Sequence, residues 1–332
     1  MKKACIIAAY FGEFPELFPG WLMSVKYNTE LDFLLVTDQK VEGKSLPSNL
    51  KVIKMSLLEM RNLAAKELKI ENLVLDRPYK CCDFKPVYGL IFKDYVVEYE
   101  FVGNCDLDMV FGDLSKYLTD DIWNNYDKIL PLGHLAFYRN TKEVLEYYKL
   151  KADVFADYMK SFTEEQICVF DEEAGINNIY RQNGLRLYDK YLMADISEKN
   201  SRLKLTQLSL SKNEEFVNYN YQIFYYENGK IMRSYIDKDG NIGQDEFIYL
   251  HAKKRHFNVD GINNIQNNSF YFLSDRIECK EEKEINKEII MKYSEYVSER
   301  YDRMEMIRYN TKNLFRKGKI KCKKTMKRWL QS

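Results

Sequence analysis

A chain of 332 residues and 39.7 kDa can bury one large core or two modest ones, and 45% apolar with 30% charged residues excludes wholesale disorder. A formal charge of only +1 excludes a global cationic field, and no specific nucleic-acid partner is expected. Seven scattered cysteines without C-x-x-C spacing indicate neither a zinc cage nor a dithiol redox site, and fit reduced thiols in a cytoplasm.

From the first residues onward, short apolar runs alternate with helical ones. Ala4–Ala9 reads as a buried first strand rather than a secretory leader, because Glu13 and Glu16 interrupt the apolar run early. A turn over Phe11–Gly20 leads to a helix at Trp21–Tyr27. Residues 32–38 and 50–55 are strands, 56–68 and 85–96 are helical, and 99–114 is a strand running into a loop. Beyond them come a strand and turn at 129–141, a helix at 142–149, and a loop feeding a helix at 162–184. Residues 221–236 form a hairpin turning at Asn228-Gly229, and 246–257 begins as a strand. "DKDGNIGQDEFI" from Asp237 starts like a calcium loop, but Ile242 and Ile248 stand where Gly and Glu are needed, so it reads as a plain turn. Ile285, Ile289, Tyr293, Tyr296 and Val297 share a stripe of one helix over 281–304.

This alternation predicts an α/β fold, a mostly parallel central sheet flanked by helices, with ligands at the carboxyl ends of its strands. A G-x-G-x-x-G fingerprint after the first strand is absent, which weighs against a dinucleotide-binding domain. No apolar stretch approaches the eighteen or so residues of a membrane span. With no internal repeat, the expected division is a catalytic domain over 1–270 and a helical extension over 271–332 that ends in a basic tail.

The chemistry concentrates in "FVGNCDLDMVFGDL" (101–114). Residues two apart on an extended chain point the same way, so Asp106 and Asp108 can face one ion while Leu107 turns to the core. Two such carboxylates repel unless a cation joins them, and Mn²⁺ or Mg²⁺ suits hard oxygen ligands while leaving positions for diphosphate oxygens. A D-x-D pair is common by chance, and a solvated loop or a helix cap fits the same residues. His251 follows the apolar strand Phe247–Leu250 and precedes Lys253, Lys254, Arg255 and His256. That arrangement fits a third metal ligand beside phosphate-binding cations, and equally a strand end followed by a solvated basic turn. Lys85-Pro86 opens a helix, where Lys85 can meet phosphate or pair with Asp83. Asp171 and Glu172 suit hydrogen bonds to a sugar, or the acidic first turn of a helix. His134 can reach a hydroxyl or lie buried and bonded.

"GNCDLDMVFGDL" resembles the D-x-D region of A-type-fold (GT-A) glycosyltransferases, especially bacterial enzymes of capsular polysaccharide and lipopolysaccharide biosynthesis. The resemblance spans about residues 4–257. "IIAAYFG" resembles the first strand and nucleotide-contacting loop, which implies Ala9 and Tyr10 beside the base or ribose. "CCDFKPVYG" resembles the segment that brings Asp83 and Lys85 to the donor, and "LGHLAFYRN", with His134, the strand near sugar and acceptor. "FDEEAGIN" resembles the acidic segment shaping the sugar site, through Asp171 and Glu172. "YLHAKKRHF" resembles the late segment in which His251 completes the metal site and Lys254 meets the diphosphate, although the family's Gly-x-x-Lys-Pro-Trp continuation is missing. The resemblance implies a nucleoside diphosphate sugar donor, UDP by analogy, a retaining hexosyl transfer, and a glycan or lipid-linked glycan acceptor. A metal-dependent phosphoesterase and a non-catalytic glycan- or nucleotide-sugar-binding protein are the rival readings.

From Arg308 to Ser332 there are ten Lys or Arg residues and no carboxylate, interspersed with apolar side chains including Trp329. That composition fits a peripheral contact with an anionic membrane from the cytoplasmic side, and equally a solvated basic terminus.

Overall fold

The computed structural model describes residues 2–41, 46–206, 210, 216–253, 255–259, 268–298 and 300–311. Lys254 and the basic tail beyond residue 311 lie outside them. The chain opens on β1 (Lys2–Tyr10), α1 (Phe18–Tyr27), β2 (Asp32–Thr37), β3 (Leu50–Lys54) and α2 (Leu57–Leu68). It continues through β4 (Tyr99–Cys105), β5 (Met109–Phe111), β6 (Lys128–Ile129), β7 (Leu135–Arg139), β8 (Leu187–Tyr188) and β9 (Ala194–Asp195). The last strands are β10 (Tyr221–Glu227), β11 (Lys230–Ile236), β12 (Ile242–Phe247), β13 (Tyr249–His251), β14 (Ser269–Phe272) and β15 (Ile277–Cys279).

Seven strands form the central sheet in the order β3-β2-β1-β4-β7-β6-β8. The pairs β3/β2, β2/β1, β1/β4 and β6/β8 are parallel, while β4/β7 and β7/β6 are antiparallel, so the fold is α/β with a mostly parallel sheet. Helices cover both faces, which is why β1 and β2 read as continuous apolar runs rather than alternating ones. Ile6, Ala8, Phe33 and Leu35 pack on one face with Trp21 and Val25 of α1. Ile7, Leu34 and Val36 pack on the other with Met60 and Ala64 of α2. Ser56 caps α2 in a reciprocal capping box with Glu59. Helix α1 begins at Phe18, three residues before the expected start, since Pro19 is tolerated in a first turn.

A five-stranded antiparallel sheet, β12-β11-β10-β14-β15, and a three-stranded sheet, β5-β13-β9, complete the architecture. The β10–β11 hairpin turns at Asn228 and Gly229, both at positive φ. Asp237 accepts backbone hydrogen bonds from Asp239 and Asn241, making the calcium-like segment a turn. The 270/271 boundary falls inside β14, which pairs with β10 and β15.

Two helical expectations need correction. The helix over 85–96 is a 3-10 helix at Pro78–Val87 followed by short turns at Tyr88–Ile91 and Lys93–Val96, because Pro86 cannot donate to a regular ladder. The helix over 281–304 is two, Lys287–Tyr293 and 300–311, with Glu295 at φ 48 between them.

Lys128 on β6 is completely buried, its Nζ donating to the Leu130 carbonyl at 2.6 Å and lying 5.4 Å from the Tyr138 ring. Burial pushes its ammonium down to about 7. An unfolded lysine keeps its proton to about 10.4, so across that window the unfolded chain binds more protons and stability rises with pH; below the window the full cost is present. We expect Lys128→Met to raise stability at pH 6 by on the order of a few kcal/mol. Urea unfolding of both chains at pH 6, 8 and 9.5 should show that advantage shrinking, and a pH-independent difference would refute a neutral buried lysine.

Candidate functional site

The strand order places a switch point between β1 and β4: the chain moves outward to β2 and β3 on one side, then returns to add β4 on the other. The carboxyl ends of both strands open on a cleft of about 590 Å³. Ala9 and Tyr10 reach it from β1, Asp106 and Asp108 from the bend after β4, and His134 from the turn before β7. Leu107 is buried between the two aspartates, so a bend delivers what the extended pattern predicted.

Small-sheet register brings in the partners from distant sequence. Antiparallel pairing sets His251 of β13 opposite Met109 of β5, and Ala252 N donates to the Asp108 carbonyl at 2.9 Å. Parallel pairing sets Asp195 of β9 opposite His251. His251 Nε2 lies 3.5 Å from Asp108 Oδ1, while its Nδ1 is 2.9 Å from Asp195 Oδ1. Burial opposes a charge on His251, but the Asp108 and Asp195 carboxylates outweigh it and hold the imidazole protonated up to about 10. His134 stacks on His251, ring centres 4.1 Å apart and 19° from parallel, and shares a 2.8 Å hydrogen bond with the Tyr249 hydroxyl. Burial, then the neighbouring His251 charge, keep His134 neutral, well below its ordinary range.

Lys85 is the cation of the cleft floor. Its Nζ lies 2.6 Å from Asp106 Oδ1 and 3.3 Å from Asp171 Oδ2, and donates to the Gly133 carbonyl at 2.9 Å. Burial works against its charge, yet the Asp106 and Asp171 carboxylates raise it well above the ordinary lysine range. Glu172 accepts from Gly133 N at 3.2 Å. Burial pushes both the Asp171 and Glu172 carboxyls up, Asp171 being pulled back by Lys85 and Glu172 pushed further by Asp171. Asp171 Oδ1 is buried on the cleft wall with no hydrogen-bond partner among the described residues, an acceptor left for a ligand. Glu173, the next residue, instead opens a helical turn and binds Arg181 and Tyr191, so the acidic run divides between site and scaffold.

The donor set fits a divalent ion. Ligand atoms of Asp106, Asp108 and His251 all lie within 4.8 Å of one another, so small side-chain shifts would bring them within the roughly 4.4 Å that two opposed bonds of about 2.2 Å span. Held through Nδ1 by Asp195, His251 can surrender its Nε2 proton to a metal bond.

Of the expected site residues, Ala9, Tyr10, Lys85, Asp106, Asp108, His134, Asp171, Glu172 and His251 line this cleft. Asp83 does not. It is completely buried, accepting from Lys80 Nζ at 2.8 Å and from the backbone of Cys168 and Phe170, so it anchors the irregular segment leading to Asp171. Lys254 is outside the described residues. Sequence reasoning missed Asp195 and Tyr79, and singled out Lys253 only as part of the basic run after His251. Asp195 ends the apolar run Tyr191–Ala194, the same strand-then-carboxylate signal that singled out Asp106.

The chain belongs to the family of unknown function DUF6625, whose profile matches residues 6–281. No curated protein matches its sequence. Among solved structures it is similar to the galactosyltransferase LgtC in complex with donor and acceptor sugar analogues, at 11% identity over 57% of this chain and 75% of that one, TM-score 0.36. It is also similar to mouse xyloside xylosyltransferase 1 in its apo form, at 8% identity over 59% and 88%, TM-score 0.39. An active-site mutant of LgtC matches at 9% identity over 76% and 88%, TM-score 0.40.

Two substitutions separate scaffold from site. Asp83→Ala strands the buried Lys80 and should cost about 3–5 kcal/mol in urea unfolding, whereas Asp108→Ala, on the cleft wall, should cost under about 1 kcal/mol. Equal costs would contradict the division. Gly133→Ala would set a methyl 2.0 Å from Asp171 Oδ2. Ligand binding in the cleft should then fall at least tenfold in titration, and unchanged affinity would mean Asp171 can move aside.

Proposed function

We propose that this protein is a metal-dependent glycosyltransferase that moves a hexose from a nucleoside diphosphate sugar, a UDP-sugar by sequence resemblance, to a hydroxyl of a cell-surface glycan or its lipid-linked precursor. The observation that carries this reading is the convergence of Asp106, Asp108 and His251 on one cleft that also holds the buried Lys85 and an Asp171 oxygen without a hydrogen-bond partner among the described residues. The cleft's volume falls within the range of small-molecule and cofactor sites.

Ala9 and Tyr10 would border the nucleoside. A divalent ion, Mn²⁺ or Mg²⁺, held by Asp106, Asp108 and His251 would bind the diphosphate and offset the charge it gains on leaving. Lys85 orients Asp106 and Asp171 around the reacting region, Lys253 adds a cation at the rim, and Asp171 and Glu172 hydrogen-bond the sugar's hydroxyls. In the transfer, the bond from the anomeric carbon to the diphosphate breaks and a bond to the acceptor oxygen forms. The diphosphate takes the electron pair, and the acceptor's proton leaves to the departing phosphate or solvent. Retention of configuration is the outcome suggested by sequence resemblance.

A phosphoesterase using two ions is less well supported, because the two ligand clusters found among the described residues share His251. We place catalysis in residues 1–270, with 271–332 as an extension whose described residues include the helices Lys287–Tyr293 and 300–311, and the enzyme in the cytoplasm, peripheral on the inner face of the cell membrane. No helix among the described residues is long and apolar enough to cross one. The basic tail would supply a peripheral contact with anionic lipid.

Turnover of UDP-, GDP- and dTDP-sugars with and without Mn²⁺, in the parent and in Asp108→Ala, tests the proposal. The expected result is metal-dependent release of one nucleotide, reduced at least a hundredfold in the variant, with water replacing the acceptor if need be. Donor binding that neither needs metal nor weakens in the variant would sink the site.

A further inference from the structure

We infer that Asp195 is the positioning residue that makes His251 a nitrogen ligand, and that it thereby sets the cleft's preference for a transition ion such as Mn²⁺ over Mg²⁺. The inference rests on the metal site proposed above.

Asp195 is 1% exposed, and each of its oxygens is engaged. Oδ1 meets His251 Nδ1 at 2.9 Å, and Oδ2 forms an ion pair with Lys253 Nζ at 2.9 Å and accepts from Thr206 Oγ1 at 3.0 Å. Backbone bonds fix its position: Ile196 N donates to the His251 carbonyl at 3.0 Å, and Thr206 N to the Asp195 carbonyl at 2.8 Å. An ionised carboxylate only accepts hydrogen bonds, so Nδ1 must carry the proton. Nε2 is then the nitrogen left to bind an ion, and it is the one that faces Asp108. The other tautomer would aim an N–H at the ion's place. Rotation of the ring is blocked from its face by the stacked His134. In-plane restraint from Asp195 and face restraint from His134 together leave the imidazole one useful orientation.

Charge adds to geometry, since an anionic partner at Nδ1 makes Nε2 a stronger donor. Imidazole suits transition ions, whereas Mg²⁺ favours oxygen ligands and retained water. Weakening the nitrogen ligand therefore penalises Mn²⁺ more than Mg²⁺.

The test uses the full chain and metal alone. Mn²⁺ affinity is read from the loss of the free-ion electron paramagnetic resonance signal, with Mg²⁺ as competitor. The chains are the parent, Asp195→Asn, Asp195→Glu, His251→Ala, and His251→Ala combined with Asp195→Asn. Asparagine keeps the size but not the charge, and should weaken Mn²⁺ binding roughly 10- to 100-fold. Mg²⁺ binding should change less, so the Mn²⁺/Mg²⁺ preference narrows, and the ¹⁴N modulation of bound Mn²⁺ should fade. Asp195→Glu keeps the charge and should recover part of that modulation; it also serves if the asparagine variant fails to fold. In the His251→Ala background, Asp195→Asn should add nothing. Parent-like Mn²⁺ affinity and ¹⁴N modulation in Asp195→Asn, or an equal further loss in His251→Ala, would overturn the role of Asp195 while leaving the metal site standing. A parent chain that binds no Mn²⁺ would overturn both.

Discussion

One buried ammonium makes the cleft tenable. Lys85 Nζ lies within 3.3 Å of carboxylates from two separate parts of the chain, Asp106 and Asp171. Those two, with Asp108, Glu172, Asp195 and Glu198, put six carboxylates of the described residues around one cavity, and without cations among them their repulsion and desolvation would force protons onto them or pull the walls apart. The carbonyl of Gly133 completes the lysine's shell, and Asn104 Nδ2 donates to the same carbonyl at 2.6 Å. The turn ahead of β7 is therefore tied to β4 through the charge it helps hold. Lys85 itself is delivered by a 3-10 helix rather than a regular one, and Asp83 pins that segment to the backbone of Cys168 and Phe170. The Lys80–Asp83 pair beneath the cleft and the Lys85 bridge on its floor thus act as a double rivet joining residues 80–85 to 168–171.

The remaining site chemistry is a matter of register. In the three-stranded sheet, Met109, His251 and Asp195 stand side by side across β5, β13 and β9. Because side chains alternate along a strand, a slip of one residue in either pairing would turn His251 away from Asp108 or from Asp195. The buried apolar residues of these strands, Val110, Leu250 and Ala194, pack in one cluster with Phe247 and Phe224, so the hydrophobic pattern fixes the register on which the polar contacts depend. The proposed metal ligands are held by packing of the residues between them.

Much of this was legible in the amino-acid order. The strands β1 to β4, the capped α2 and the Asn228-Gly229 hairpin follow from apolar runs, a Ser-x-x-Glu box and turn chemistry, all local signals. Asp106, Asp108 and His251 stood out because each follows an apolar run at a strand's end, and a carboxyl end is where such sheets bind ligands. The expectation for Asp83 illustrates the opposite case. Two residues from Lys85, it looks like a site residue, but its direction depends on Lys80 and on a backbone segment some 85 positions away.

The sequence by itself determined the strands β1 to β4, the helices α1 and α2, the mostly parallel sheet and the residue types that can hold a cation and a phosphate, because these depend on neighbours within a few positions. Only the tertiary structure decided which of them meet. It joined Lys85 to Asp106 and Asp171, gave His251 its partner Asp195, split Asp171 and Glu172 from Glu173, and broke the helix over 281–304 at Glu295. Those outcomes turn on strand register, on a positive φ, and on contacts between residues mostly 21 to 86 positions apart, where no local periodicity carries information.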